Sequence, residues 1–124
     1  MPDSKPCAVV TGAARGIGRA VAARLLREGY RVVLNDIAAA DGCAQLAAFA
    51  CQSGALALWI NNAGLARHRA IVEYTEAEID LMLSVNLKGT ILGSQAALRA
   101  MAPQKSGHIL NIISTAALRG IPSE

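Results

Sequence analysis

The sequence predicts an α/β fold in which a parallel sheet carries helices on both faces. Apolar residues make up 53% of the 124 residues and aromatic residues only 3%, a composition that suits a core of small aliphatic side chains between helices and a sheet. Short apolar runs of the buried-strand type also alternate with helical patterns along the chain. The length suits a single domain, which we expect to span residues 1–124.

The first half of the chain contains two predicted strands and two predicted helices. A buried strand at Cys7–Thr11 leads through a glycine-rich turn into a helix at Ile17–Glu28, which Gly29 can end. A second buried strand follows at Arg31–Asn35. The alanine-rich stretch Ala38–Cys51 favours a second helix.

The second half of the chain repeats this alternation. Thr75 and Glu78 have the spacing of a capping box, so the long helix is expected to begin there. Gly89 and Gly93 within that helix are expected to allow close packing. The order of elements predicts a parallel sheet of about four strands with helices on both faces. The predicted elements are a strand at Ala55–Ile60, a loop at Asn61–Arg69, a helix at Thr75–Met101, a strand at His108–Ile113 and a loop at Ser114–Glu124.

Charge and hydropathy argue against two classes of partner. The net charge is +3, and the basic residues are scattered with few aromatic residues among them, unlike a nucleic-acid surface. No stretch reaches the roughly 18 apolar residues of a membrane span. The polar N-terminus shows no secretory signal, so we expect a cytoplasmic protein that binds neither nucleic acid nor membrane.

The cysteines and histidines show no pattern of a functional site. Cys7, Cys43 and Cys51 have no metal-ligand spacing and form no CxxC pair. We therefore expect no metal site, and we expect reduced thiols that pack as small apolar groups. His68 and His108 are interpreted as structural or surface residues.

The glycine-rich turn is the first candidate site. The segment Thr11–Gly18, TGAARGIG, follows a buried strand and opens a helix. Glycines there let the backbone approach a dinucleotide pyrophosphate, and the helix N-terminus offers free N–H groups. Asp36 follows at the end of the second strand, near the offset at which an acidic residue binds the adenosine ribose. The alternatives are a plain strand-to-helix turn, and a solvated or helix-capping aspartate.

Four motifs together resemble the short-chain dehydrogenase/reductase family. The TGxxxGIG turn is similar to the cofactor turn of that family, and Asn61–Gly64 matches its NNAG motif. Val85–Gly89 resembles the helix segment that holds the asparagine of its catalytic tetrad, and Gly107–Ser114 resembles the strand that delivers its catalytic serine. The resemblance is greatest to the classical branch, which includes 3-oxoacyl-thioester reductases and many sugar, polyol and steroid dehydrogenases. It implies a Rossmann-like doubly wound sheet.

The resemblance also implies which residues bind a nicotinamide cofactor. A carboxylate at Asp36 would accept hydrogen bonds from the ribose hydroxyls and repel a 2′-phosphate, which favours NAD over NADP. Arg15 beside the ribose would instead suit a 2′-phosphate, so NADP stays possible. The pyrophosphate would be held by Gly12, Gly16 and Gly18 with the backbone of Arg15 and Ile17, and the nicotinamide-side ribose would lie against Asn62, Ala63 and Gly64.

The implied reaction is hydride transfer between nicotinamide and a small-molecule carbonyl or secondary alcohol. Asn86 would belong to the proton relay, and Ser114 would hydrogen-bond the substrate oxygen. The acid/base tyrosine and lysine of the family, YxxxK, do not occur in these 124 residues, because neither Tyr30 nor Tyr74 has a lysine four residues on. We therefore expect a chain truncated before that helix and catalytically incomplete. The alternatives to an oxidoreductase are a non-catalytic dinucleotide-binding remnant or pseudoenzyme that pairs with relatives, and the product of a damaged gene.

A second departure from the family lies inside the chain. The 25-residue interval from Asp36 to Asn61 holds one helix and one strand, where the family has a helix, a strand, another helix and another strand. The strand at Ala55–Ile60 lies either outside the second strand or beside the first. We expect the second arrangement, which moves the Ala38–Cys51 helix to the opposite face of the sheet. The apolar helix at Thr75–Met101 is expected to form a homo-oligomer contact.

Overall fold

The computed structural model describes residues 5–35 and 40–119. Its strands and helices follow the predicted order with small shifts at their ends. They are β1 (Cys7–Thr11), α1 (Gly16–Arg27), β2 (Arg31–Asn35), α2 (Ala40–Ser53), β3 (Leu56–Asn61), α3 (Glu76–Met82), α4 (Gly89–Met101) and β4 (His108–Asn111), with short 3-10 turns at Ile71–Glu73 and Thr115–Ala117 and a π-helical turn at Leu83–Lys88 between α3 and α4.

The four strands form one parallel sheet in the order β2–β1–β3–β4. Val9 and Val10 of β1 lie opposite Trp59 and Ile60 of β3, so β3 is hydrogen-bonded directly to β1. The predicted placement of this strand beside the first is therefore confirmed. The α/β class with about four parallel strands is confirmed as well.

The helices cover the two faces of the sheet unequally. On one face, Ala22 of α1 packs in a small cluster with Val10 and Ile60. On the other face, α2 and α4 together cover Val9 and Trp59 in a larger cluster. The crossover from β1 to β2 and the crossover from β2 back to β3 run in opposite directions. Since both are right-handed, their helices lie on opposite faces, as the sequence predicted.

Small residues let α4 lie close to the sheet. A Cβ atom at Gly93 would lie 3.0 Å from the indole nitrogen of Trp59 and would overlap the side chain of Asn61. The expectation for Gly89 was wrong: a Cβ atom there would meet the Ser84 carbonyl at 3.6 Å, an ordinary contact. The prediction of packed cysteines holds for Cys7 and Cys43, whereas Cys51 is exposed on α2.

The predicted helix at Thr75–Met101 is interrupted. Thr75 caps its start with the expected reciprocal hydrogen bonds to Glu78, but the chain widens into the π-helical turn before α4 begins. A single wide turn keeps the apolar pattern of a helix nearly unchanged, so sequence periodicity does not reveal it.

β4 is shorter than predicted. Asn61 is the last residue of β3, and its carbonyl accepts a hydrogen bond from the Ile112 N–H at 2.9 Å. β3 ends at Asn61, and the next two N–H groups, of Asn62 and Ala63, donate to the Thr11 hydroxyl oxygen. The ladder between β3 and β4 therefore ends before Ile113. Within the described part of the chain, no helix is both long and apolar enough to cross a bilayer.

Candidate functional site

A cleft of about 680 Å³ opens at the carboxyl ends of β1 and β3. The chain leaves these neighbouring strands toward different helices, which is where α/β sheets bind ligands, and the volume is typical of small-molecule sites. The walls come from four parts of the fold, which are the turn Thr11–Gly18, the loop Asn61–Leu65, the residue Cys43 of α2, and Leu81, Val85, Gly89 and Thr90 of the long helix.

The glycine-rich turn requires glycine at three of its positions. A Cβ atom at Gly18 would lie 2.4 Å from the Asn62 amide nitrogen and 2.4 Å from the Gly12 carbonyl oxygen. Gly12 has φ +63° and a Cβ atom there would lie 2.7 Å from the Cα atom of Ala63, so no side chain fits. Gly16 has φ +56° but no atom within 4 Å of an added Cβ. The backbone at Gly16 is therefore open toward the cleft, and a ligand can approach it closely.

The N-terminus of α1 faces the cleft without a side-chain cap. Arg15 occupies the N-cap position in an extended conformation and makes no capping hydrogen bond, and the first turn contains no acidic residue. Free N–H groups and the positive end of the helix dipole favour an anion at such a place. Among the described residues that line the cleft, Arg15 is the one that carries a charge, and its sign adds to this preference.

Thr11 joins the glycine-rich turn to the NNAG loop. Its hydroxyl oxygen accepts hydrogen bonds from the backbone N–H groups of Asn62 and Ala63, both at 3.0 Å, and its hydroxyl donates to the Ile60 carbonyl at 3.4 Å. The Asn62 amide donates in return to the carbonyls of Thr11 and Gly12 at 2.9 and 3.0 Å. These hydrogen bonds join the two motifs into one unit. Sequence analysis missed the role of Thr11, although its place just before the glycines was a signal.

Asn61 is a second residue that sequence analysis missed. It is buried, and its amide oxygen accepts a hydrogen bond from the Trp59 indole at 2.7 Å. Its amide nitrogen donates to the side-chain oxygens of Ser94 and Asn111 at 3.0 and 2.8 Å. These bonds tie the end of β3 to β4 and to α4, and they hold the start of the loop in place.

Asn86 secures the far side of the same loop. Its amide oxygen accepts from the Leu65 N–H at 2.9 Å, and its amide nitrogen donates to the Leu65 carbonyl at 2.8 Å. The side chain lies in the π-helical turn and is exposed rather than enclosed in the helix core. A π turn of this kind often occurs at a functional site.

The remainder of the loop is attached to the start of α3. Glu78 lies 3.5 Å from the Arg67 guanidinium and 3.3 Å from the Arg69 guanidinium. Hydrogen bonds from Thr75, and more weakly the charges of Arg69 and Arg67, lower the pKa of the Glu78 carboxyl. Tyr74 also donates its hydroxyl to the Arg67 carbonyl.

Three predicted site residues are not among the described residues that line the cleft, namely Asn86, Ser114 and Asp36. Asn86 lies beside the cleft and reaches it only through its hydrogen bonds to Leu65. Ser114 is exposed, and its hydroxyl oxygen accepts from the Ala116 N–H at 3.1 Å as the cap of the last 3-10 turn. It is not among the residues that line the cleft. Asp36 lies outside the described residues. The cleft does include Gly12, Arg15, Gly16, Ile17, Gly18, Asn62, Ala63 and Gly64.

The residues present fit the pyrophosphate half of a dinucleotide. An open positive-φ glycine, an uncapped helix N-terminus and an arginine meet at one end of the cleft. At the other end the NNAG loop presents backbone groups and small side chains. The arrangement can bind an anionic, elongated ligand along the carboxyl edge of the sheet.

Comparison with known families agrees with this site. The family model described as short chain dehydrogenase matches residues 6–52 and residues 35–124. The two matched segments overlap, so residues 35–52 match both the stretch after the second strand and the stretch that leads to NNAG. Such a double match is expected when the connection between the second and third strands is shorter here than in the family model.

Curated relatives show the same shortening. The chain is 36% identical over 143 positions to the sex determination protein tasselseed-2 of Zea mays, covering 91% of this chain and 43% of that protein. It is 37% identical over 132 positions to an uncharacterised oxidoreductase of Staphylococcus aureus strain USA300, covering 86% and 57%. Both alignments are longer than the 124 residues of the chain. The relatives therefore contain internal residues that this chain lacks, as predicted, and the chain spans about half their length.

Solved structures share the fold. A variant of actinorhodin polyketide ketoreductase, solved with NADPH, superposes with a TM-score of 0.86 at 26% identity. The match covers 96% of this chain and 57% of the ketoreductase. The chain therefore corresponds to somewhat more than half of the ketoreductase chain.

Proposed function

The chain belongs to the short-chain dehydrogenase family, and from this premise we propose that it carries the dinucleotide-binding half of an NAD(P)-dependent oxidoreductase site. One observation supports the proposal most strongly. The glycine-rich turn and the NNAG loop, 50 residues apart in sequence, are joined through Thr11 and Asn62 into one wall of the cleft.

Each part of the wall has a proposed role toward the cofactor. Gly12, Gly16 and Gly18, with the backbone of Arg15 and Ile17, bind the pyrophosphate through N–H groups and the helix dipole. Asn62, Ala63 and Gly64 line the ribose on the nicotinamide side. A bound nicotinamide would, in its reduced form, supply hydride to a small-molecule carbonyl and, in its oxidised form, accept hydride from a secondary alcohol. Asn86 holds the loop at Leu65, and Ser114 is proposed to hydrogen-bond the substrate oxygen.

NAD is the proposed cofactor. A carboxylate at Asp36, directly after β2, accepts hydrogen bonds from the adenosine ribose hydroxyls and repels a 2′-phosphate. Arg15 borders the cleft and supports NADP as the alternative, as does the NADPH bound to the similar ketoreductase. The cytoplasmic location expected from the sequence stays a prediction.

We propose that the 124-residue chain binds cofactor without turning substrate over. The family resemblance places acid/base catalysis on a tyrosine and a lysine in a YxxxK arrangement, which these residues do not include. Without a tyrosine of lowered pKa, no group in the proposed relay gives a proton to the developing alkoxide. A non-catalytic binding module that pairs with relatives is the second candidate, and the exposed apolar side chains of the long helix support it.

Calorimetric titration with ADP, NAD and NADP tests the binding proposal. We expect ADP and NAD to bind weakly and with similar affinity, because the contacts of the adenosine diphosphate half dominate. Asp36→Ala is expected to weaken NAD binding and to reduce discrimination against NADP by about 1–2 kcal/mol, the scale of a lost charge-assisted hydrogen bond. Asp80→Ala, at an exposed position on α3, is the matched control and should change neither.

Two results would overturn these assignments. Failure to bind either ADP or NAD at millimolar concentration would favour the product of a damaged gene. Tighter binding of NADP than of NAD would remove the role of Asp36. In a separate assay with carbonyl and alcohol substrates, turnover above background that is lost in Ser114→Ala would disprove catalytic incompleteness.

A further inference from the structure

One residue in the first turn of α2, Cys43, lines the cleft. α2 follows β2, so it begins at the carboxyl edge of the sheet, where the cleft opens. It also crosses over β1 to reach β3 and packs against α4. This path brings Cys43, one turn into the helix, to the border of the cleft, together with Thr11 and Gly12 of the glycine-rich turn.

Cys43 is held rigidly at that border. It is 2% exposed and packs in the cluster that includes Val9 of β1 and Ala97 of α4. Most of the thiol is therefore embedded in the core, and only a small part of its surface faces the cleft. Its packing in this cluster fixes where the thiol lies, so the size of the side chain at position 43 affects the width of the cleft there.

Cys43 belongs to the same buried cluster as Val33 of β2, the strand that leads to the proposed adenosine side of the cleft. The acidic residue proposed to bind the adenosine ribose follows β2 in the sequence, and four residues separate the end of β2 from the start of α2. The nicotinamide side is formed by the NNAG loop and by Val85 and Gly89 of the long helix. The pyrophosphate turn lies between the two sides.

We propose that Cys43 contacts the adenosine half of the bound dinucleotide and sets the width of the cleft there, an inference that rests on the proposed function. It is a specificity-determining residue of that site. The single crossover gives it this position, since α2 is the one described helix between β2 and β3 in the chain and β3 lies beside β1.

Substitution by a larger apolar residue tests the width. Cys43→Leu adds volume at the border of the cleft and is expected to weaken ADP and NAD binding at least tenfold. Cys51→Leu is the matched control, since Cys51 is exposed on the same helix and does not line the cleft; it should leave both affinities within twofold. Equal affinities in Cys43→Leu and the wild-type protein would overturn the proposal.

Alkylation of the unaltered chain gives a second test that does not depend on the variant folding. Iodoacetamide modification is followed by peptide mass spectrometry at each cysteine, with and without saturating ADP. Burial raises the pKa of the Cys43 and Cys7 thiols, so both react slowly. Cys7 is fully buried and does not line the cleft. The change in its alkylation rate therefore measures the protection that arises only because bound ADP stabilises the whole fold.

The three rates separate the outcomes. If Cys43 contacts ADP, saturating ADP should reduce the alkylation rate of Cys43 by a factor at least five times larger than the factor for Cys7. The alkylation rate of Cys51 should not change. Equal protection of Cys43 and Cys7, with ADP binding seen by calorimetry, would overturn the contact and leave the proposed function intact. Absence of ADP binding in calorimetry would overturn both.

Discussion

At the residue scale, Gly12 combines a backbone conformation and a contact that only glycine accepts. Replacement by alanine forces a positive φ on a residue with a side chain and drives its Cβ into Ala63. We expect Gly12→Ala to lower the free energy of unfolding by more than about 2 kcal/mol and to abolish ADP binding. Urea unfolding, followed by fluorescence of the single, buried Trp59, measures the first effect.

The control for this prediction is Gly42→Ala. Gly42 lies in α2 with no atom within 4 Å of an added Cβ. Alanine there is expected to stabilise the chain by up to about 1 kcal/mol through helix propensity and to leave ADP binding unchanged. Equal unfolding midpoints for the two variants would contradict the role given to Gly12.

Thr11 gives a second prediction at this scale. Thr11→Val keeps the shape of the side chain but removes the oxygen that accepts from Asn62 and Ala63. Two N–H groups lose their partner, so unfolding free energy should fall by about 2–4 kcal/mol. Thr11→Ser keeps the hydroxyl and should lose less than half of that. If valine and serine variants unfold at the same urea concentration, the hydroxyl does not hold the two motifs together.

At the element scale, the capping box ties the start of α3 to the loop beside the cleft. Glu78 accepts from the Thr75 N–H at 3.0 Å, and the same contacts lower the pKa of its carboxyl in the folded state. Because the pKa of this carboxyl is lower in the folded than in the unfolded chain, its ionised form stabilises the fold. This stabilisation is fully present above the pKa of the unfolded chain, near 4.3. The contribution is lost as the pH falls through the folded value.

Glu78→Gln is expected to lower the free energy of unfolding at pH 7. Between pH 7 and pH 3 the free energy of unfolding of this variant should then fall less than that of the wild-type chain. Glutamine still accepts a hydrogen bond from Thr75, but it neither titrates nor carries the charge that pairs with Arg67 and Arg69. Glu76→Gln changes a second acid of the same first turn outside this network and should retain the wild-type pH dependence. Identical pH profiles for the two variants would disprove the assignment.

At the scale of the whole molecule, an apolar stripe runs along the long helix. Ile79, Leu83, Leu87 and Ile91 recur every four residues and are 43–56% exposed, more apolar surface than a single copy usually leaves in water. We expect the chain to self-associate at micromolar concentration. Sedimentation velocity of Leu87→Glu should show a shift toward monomer.

The adjacent substitution Lys88→Glu is the control, because it introduces the same acid at an exposed position beside the stripe. It should leave the sedimentation profile unchanged. A wild-type chain that sediments as a stable monomer would contradict the prediction.

Much of the fold and of the site was predictable because it depends on neighbours in sequence. Apolar runs define the strands, and the spacing of Thr75 and Glu78 defines a helix start, since these patterns act over a few residues. The glycine-rich turn was predictable for the same reason, as its positive φ angles occur within one short segment. Family resemblance then indicated the NNAG loop and Asn86.

Only the tertiary structure decided how these segments meet. The sequence allowed two positions for β3, either outside β2 or beside β1. In the structure β3 lies beside β1 and α2 packs with α4 on one face of the sheet, so the packing of the sheet faces selected this arrangement. The hydrogen bonds of Thr11 and Asn61 join residues about 50 positions apart, and no local pattern indicates which distant groups they reach. Local patterns are set by backbone propensity, whereas these pairings form because buried polar groups and apolar surfaces are satisfied only when distant segments pack together.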